Sequence, residues 1–143
     1  MILLDANLLV YAFDVDSPHH SITREWLDRH LAGPDSVGFP WESITAFLRL
    51  VTNPRIYQNP AAPTAAWRQV EVWLDGAPSW VPLPTKRHRE LFREFAALPG
   101  MRANHVHDAH LATLALEHGL VLCSADRGFS RFPRLRWLNP LVR

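Results

Sequence analysis

Four short apolar runs, MILL (residues 1–4), VGFP (37–40), SWVPL (79–83) and LVLCSA (120–125), are separated by segments with helical periodicity, and no hairpin signal joins any two of them. Strands that alternate with helices need crossover connections. The expected fold class is therefore α/β, with a mostly parallel central sheet flanked by helices. Helices are expected over NLLVYAF (7–13), HHSITREWLDRHLAG (19–33), WESITAFLRLVTN (41–53), AWRQVEVWLDGA (66–77), TKRHRELFREFAALPG (85–100) and HVHDAHLATLALEHG (105–119). The third should end at Asn53, because the residue before a proline is pushed out of the helical region. The proline-spaced NPRIYQNPAAP (53–63) reads as a loop, and LRWL (135–138) as an edge strand.

At 143 residues and 48% hydrophobic content, one domain spanning residues 1–143 is expected. The lone cysteine, Cys123, excludes an internal disulfide and fits a reducing compartment. The apolar opening MILLDANLLVYAF lacks the basic start of a signal peptide and is interrupted by Asp5 and Asn7, so it is read as folded structure. No apolar run reaches the roughly 20 residues of a membrane helix, and a cytoplasmic location is expected. A net charge of +1 is too mild to name a partner.

The helix beginning near His105 places Asp108 at the head of a stripe that continues through Leu111, Ala112 and Ala115. Glu117 and His118 point away from that stripe. A carboxylate entering a core is costly unless something neutralises it. In parallel sheets, ligands bind beyond the carboxyl ends of the strands. Two of the clearest strands finish in aspartates there, Asp5 and Asp126, and two helices carry Glu42 and Asp108 in what are expected to be their first turns. Singly, such acids are turn or helix-capping residues. Jointly, four converging carboxylates repel one another unless hard cations balance them, and Mg2+ (or Mn2+) is the oxygen-seeking ion suited to that task. An ion so held can activate a water for in-line attack at phosphorus, so phosphodiester hydrolysis is the expected reaction.

The segments LLDANLLVYA, WESITAFLRLVTNPRI, NHVHDAHLATLALEHG and CSADRGFSRFP together resemble PIN domains of the VapC toxin type, from toxin-antitoxin pairs. The order Asp, Glu, Asp, Asp and the flanking apolar runs carry the resemblance over nearly the whole chain. It implies a Mg2+-dependent endoribonuclease acting on tRNA or ribosomal RNA, a cognate antitoxin seated on a groove of the early helices, and a homodimer. Carried over, Asp5, Glu42, Asp108 and Asp126 are the acidic, metal-holding and catalytic set, with Asn7 and Ser124 as supporting polar residues. A catalytically inactive PIN-like module that binds RNA or protein is the alternative, although such a module is expected to have lost one or more acids.

Two other chemistries fit less well. His105, His107 and His110 superficially resemble the histidine box of metallo-β-lactamase-like hydrolases, but the aspartate directly follows the second histidine and the box opens a helix. Asp5-Ala6-Asn7 lacks the second aspartate of the haloacid-dehalogenase phosphatases. His107 and His110 are read as surface histidines near a helix start, and His105, taken to precede the helix, as a candidate RNA-phosphate contact. Arg127 and Arg131, directly after Asp126, are candidate RNA-binding residues. Lys86, Arg87, Arg89 and Arg93 read as a solvated helix face. Without the four site acids the chain carries 15 basic against 14 − 4 = 10 acidic residues, a surplus compatible with RNA backbone contacts. Trp26, Trp41, Phe47, Trp67 and Trp73 are expected mainly in the core, with some available to interfaces.

Overall fold

The structure, a computed structural model, describes residues 1–142; Arg143, the last residue of the expected domain, lies outside them. Five short strands form one parallel sheet: β1 (Ile2–Leu4), β2 (Val37–Gly38), β3 (Ser79–Trp80), β4 (Val121–Cys123) and β5 (Trp137–Leu138), in the order β3-β2-β1-β4-β5. The helices are α1 (Ala6–Phe13), α2 (His20–Leu31), α3 (Trp41–Val51), α4 (Pro63–Leu74), α5 (His88–Ala96) and α6 (Ala103–Glu117), with a short 3-10 turn at Arg127–Arg131. The α/β reading holds, and LRWL does supply an edge strand. The strands are shorter than the apolar runs that announced them, because only the residues facing a neighbour in register join the ladder, such as Leu3 opposite both Gly38 and Leu122.

Period-two alternation divides the core in two. Ile2, Leu4 and Cys123 pack with α1 to α4, whereas Leu3 and Leu122 pack with Phe95, Phe129 and the buried face of α6. β1 is completely buried in the middle of the sheet. The chain winds outward from it through β2 and β3, then returns to its other side at β4. The direction of winding thus reverses between β1 and β4, which is where an open α/β sheet leaves a crevice at its carboxyl rim.

Three expectations need correction. The His105 segment joins a helix that already begins at Ala103, so Asp108 lies in the second turn, not the first. His105 accordingly lies inside the helix, where its Nδ1 accepts from the Arg102 N–H at 3.2 Å and caps the free end. Trp41 and Trp67 are not core: they are 43% and 38% exposed and stack on each other across α3 and α4, while Trp26, Phe47 and Trp73 are buried as expected. At the start of α3, Trp41 lies outside the stripe of Ile44, Phe47 and Val51 that the helix turns inward.

Candidate functional site

Three of the four expected acids lie within four residues of a strand's carboxyl end. Asp5 ends β1 and caps α1, Asp126 follows β4 and caps the 3-10 turn by accepting from the Gly128 N–H at 2.8 Å, and Glu42 opens α3 just beyond β2. α6 leads back into the amino end of β4, so its own first half lies at the carboxyl rim and brings Asp108 there.

Asp5 is held rigidly. Its Oδ2 accepts from Ser124 Oγ at 2.7 Å and Asn7 Nδ2 at 3.3 Å, and its Oδ1 from the Ala6 N–H at 2.8 Å. Ser124 is fully buried and also accepts from Asn7 Nδ2 and the Asp126 N–H, each at 3.0 Å. Asn7 Oδ1 completes the weave by accepting from the Ala125 N–H at 3.3 Å. Asn7 and Ser124 thus tie the segment after β4 to the end of β1.

Burial raises the Asp5 carboxyl above its ordinary range, against the hydrogen bond from Ser124, and the charge of Asp126 raises it further. Asp108 is also raised, first by burial and then by the charges of Asp126 and Asp5, with His107 and Arg131 opposing. The charge of Asp126 therefore bears on both Asp5 and Asp108, and that of Asp5 on Asp108. Glu42 differs: the His110 ring beside it lowers its carboxyl below the usual range, against the effect of burial.

Glu42 Oε1 lies 2.9 Å from His110 Nε2, off the line of a straight hydrogen bond, while Glu42 Oε2 is buried and has no partner among the described residues. Among the described residues no three acidic, histidine or cysteine side chains are drawn up around a single point at coordination distance. The donor set nevertheless suits Mg2+ or Mn2+. It consists of carboxylate oxygens, two of the acids are raised by burial and by neighbouring carboxylate charge that a cation would offset, and one buried oxygen of Glu42 is free.

His110 is not a surface histidine. Its Nδ1 meets His88 Nε2 at 3.0 Å, and His88 Nδ1 meets Glu117 Oε1 at 2.7 Å. The Glu117 side chain is fully buried and its Oε2 accepts from Thr85 Oγ1 at 2.7 Å and the Thr85 N–H at 3.2 Å. His107, by contrast, is exposed as expected.

A cleft of about 600 Å³ opens between one face of α3 (Glu42, Thr45, Ala46, Arg49) and the start of α6 (Ala103, Asn104, His107, Asp108). The 42/45/46/49 spacing is one helical face. Ala46 and Ala103 leave room there, and Arg49 sits two turns from Glu42. Sequence reasoning missed Arg49, Thr45 and Asn104, although the helical spacing from Glu42 could have found the first two. Arg131 lies near enough to Asp108 to act on it, and its Nε donates to the Gly128 carbonyl at 2.8 Å; Arg127 is exposed.

Comparison with known proteins agrees with this layout. The family described as PIN domain matches residues 2–135. Ribonuclease VapC37 of Mycobacterium tuberculosis is 43% identical over 141 residues, covering 98% of this chain and 97% of its own, and VapC ribonuclease Mb2897 of Mycobacterium bovis is 41% identical over 142 residues, covering 99% and 96%. Among solved structures, VapBC2 from Rickettsia felis bound to a DNA fragment from their promoter superposes with a TM-score of 0.72 at 15% identity, over 97% of this chain and 98% of the other. FitAcB from Neisseria gonorrhoeae does so with a TM-score of 0.69 at 18% identity, over 98% of both. A sheet that reverses its winding beside Asp5 and Asp126, matched along its whole length by VapC ribonucleases, places this chain in the PIN-domain family, in its VapC branch.

Proposed function

We propose that the protein is a Mg2+-dependent endoribonuclease, the toxin of a type II toxin-antitoxin pair, which cuts a structured cellular RNA such as a tRNA or ribosomal RNA in the cytoplasm. The observation that carries the reading is the acid cluster itself: the charge of Asp126 bears on Asp5 and Asp108 at the carboxyl rim, and Glu42 faces the same cleft as Asp108 with a free buried oxygen. The naming of relatives at 41–43% identity as ribonucleases supports it.

Asp5, Glu42, Asp108 and Asp126 would hold the ion, with Mn2+ able to replace Mg2+. When bound, the ion supplies charge neutralisation at the scissile phosphate and lowers the pKa of attacking water. The chain's own residues do the rest. Ser124 and Asn7 keep Asp5 in one orientation, because a carboxylate with its lone pairs committed to fixed donors cannot rotate freely. Arg49, Thr45 and Asn104 offer a cation and neutral hydrogen-bonding groups along the cleft for a phosphate next to the one that is cut, and Arg131 offers a second cation beside Asp108. Arg127 and His105 are further phosphate contacts, His105 through its ring edge away from the cap.

For the antitoxin, a second cleft of about 370 Å³ between α1, α2 and α4 is lined by Phe13, Val15, Leu27, Val72 and Trp73, with Val15 and Val72 largely exposed. An amphipathic segment would fit it. A basic residue of the antitoxin would be drawn to the acids of the site, and two toxin copies would complete the assembly. The test is incubation of purified protein with total cellular RNA in Mg2+ and in EDTA, beside the Asp108→Asn variant. Cleavage that survives EDTA, or survives in the variant, would overturn the reading.

A further inference from the structure

His88 and Glu117 have no part in that reading, yet they are joined to it. Glu117 and His110 are seven residues apart on α6, two turns along one face, and His88 on α5 fills the space between them. A plain joint between α5 and α6 would need only the His88–Glu117 contact. Here a second histidine continues the line to a third helix and stops at Glu42.

The chain of contacts has a direction. Glu117 is buried and takes three hydrogen bonds, two from Thr85 and one from His88 Nδ1. With that N–H committed, His88 Nε2 accepts from His110 Nδ1. His110 Nε2, at the other side of that ring, lies 2.9 Å from Glu42 Oε1. Phe92 lies nearly parallel to His88 at 6.1 Å between ring centres.

We infer that Glu117, His88 and His110 form a positioning chain that fixes Glu42, holding its Oε1 and leaving its buried Oε2 free for the divalent ion. This rests on the assignment of Glu42 to the metal-holding acids. Partners behind the ligating groups of metal sites commonly change metal affinity or activity by about 10–100-fold when removed. None of the three residues need touch RNA.

Two substitutions at His88 separate positioning from packing. His88→Phe keeps a flat ring against Phe92 and removes both nitrogens, whereas His88→Gln retains one donor for Glu117 and one acceptor for His110. The readouts are the dissociation constant for Mn2+ alone, followed by the loss of free-ion signal in electron paramagnetic resonance, and the initial rate of cleavage of total cellular RNA. His88→Phe is expected to weaken Mn2+ binding and slow cleavage about tenfold, and His88→Gln to restore both to within about twofold of the parent. Melting temperature is followed in parallel, and Glu117→Gln serves as a second probe if His88→Phe does not fold, with the same loss expected. Parent-like Mn2+ binding in the nitrogen-free variant, tighter binding in it, or a His88→Gln variant no better than His88→Phe would each overturn the positioning chain while leaving the ribonuclease reading intact. A parent protein that neither binds Mn2+ nor cleaves RNA would overturn both.

Discussion

Ser124 Oγ donates to Asp5 Oδ2 at 2.7 Å across a sequence separation of 119 residues, so the acid at the end of the first strand is oriented by a hydroxyl at the end of the fourth. Ser124→Ala removes that donor together with the acceptor for Asn7 and for the Asp126 N–H. The expected result is a 10–100-fold loss of cleavage rate with a stability loss of only about 1 kcal/mol. Steady-state kinetics beside urea unfolding checks it, and an unchanged rate would show that Asp5 needs no such support.

Asp108 should oppose folding when no cation is present. Burial, then the charges of Asp126 and Asp5, raise its carboxyl above the ordinary value. The folded chain then keeps a proton that the unfolded chain has already released. The stability so contributed is full below the unfolded value and is lost as pH rises through the folded one. At pH 7 the ionised group is therefore a liability, which Asp108→Asn relieves. In EDTA that variant should melt above the parent, by about 2–4 °C for each kcal/mol of repulsion removed, with the gap closing on acidification through the carboxyl range. Mg2+ should raise the melting temperature of the parent much more than that of the variant. A variant melting below the parent at pH 7 in EDTA would contradict this.

Arg49 is exposed at the far end of the α3 face that begins at Glu42. If it contacts one phosphate of a single-stranded region, Arg49→Ala should reduce the steepness of log affinity against log salt by about 0.7, raise KM for RNA and leave Mn2+ binding unchanged. An unaltered salt dependence would remove Arg49 from the substrate path.

The products report which group attacks. Water attacking in line, with the 3′ oxygen leaving, gives 5′-phosphate and 3′-hydroxyl ends, whereas attack by the RNA's own 2′-hydroxyl gives cyclic phosphates. We expect the former, so a 5′-phosphate-dependent exonuclease should degrade the fragments. His107→Ala should cleave nearly as well as the parent, because this exposed ring makes no hydrogen bond to the acids. Fragments resistant to that exonuclease, with a dead His107→Ala, would point to histidine acid-base chemistry.

The candidate acids are legible in the chain because Asp5 and Asp126 end apolar runs, Glu42 opens a helix and Asp108 heads an apolar stripe, and those are local signals. The start of α6 was hidden because Arg102, Ala103 and Asn104 are exposed and carry no apolar period, so the helix seemed to begin at His105 and Asp108 seemed to lie in its first turn. Glu117 was rightly placed on a different face from Asp108. What it faces lies 29 residues earlier in the chain, on α5, a distance that no periodicity within one helix encodes. The indoles of Trp41 and Trp67 were misplaced for a related reason. Aromatic character marks burial in general, and only the packing of α3 against α4 decides which rings remain at the surface.

The central strand β1 comes first in the chain, and the neighbour that completes its second edge, β4, follows only after six helices and two further strands have been made. Asp5 thus leaves the ribosome long before Ser124 and Asp126 exist to orient and face it. A half-synthesised chain holds Asp5 and Glu42 but neither Asp108 nor Asp126, so the acid set is incomplete. The order in which the sheet is filled thus delays the gathering of the acids until β4 slides in beside β1.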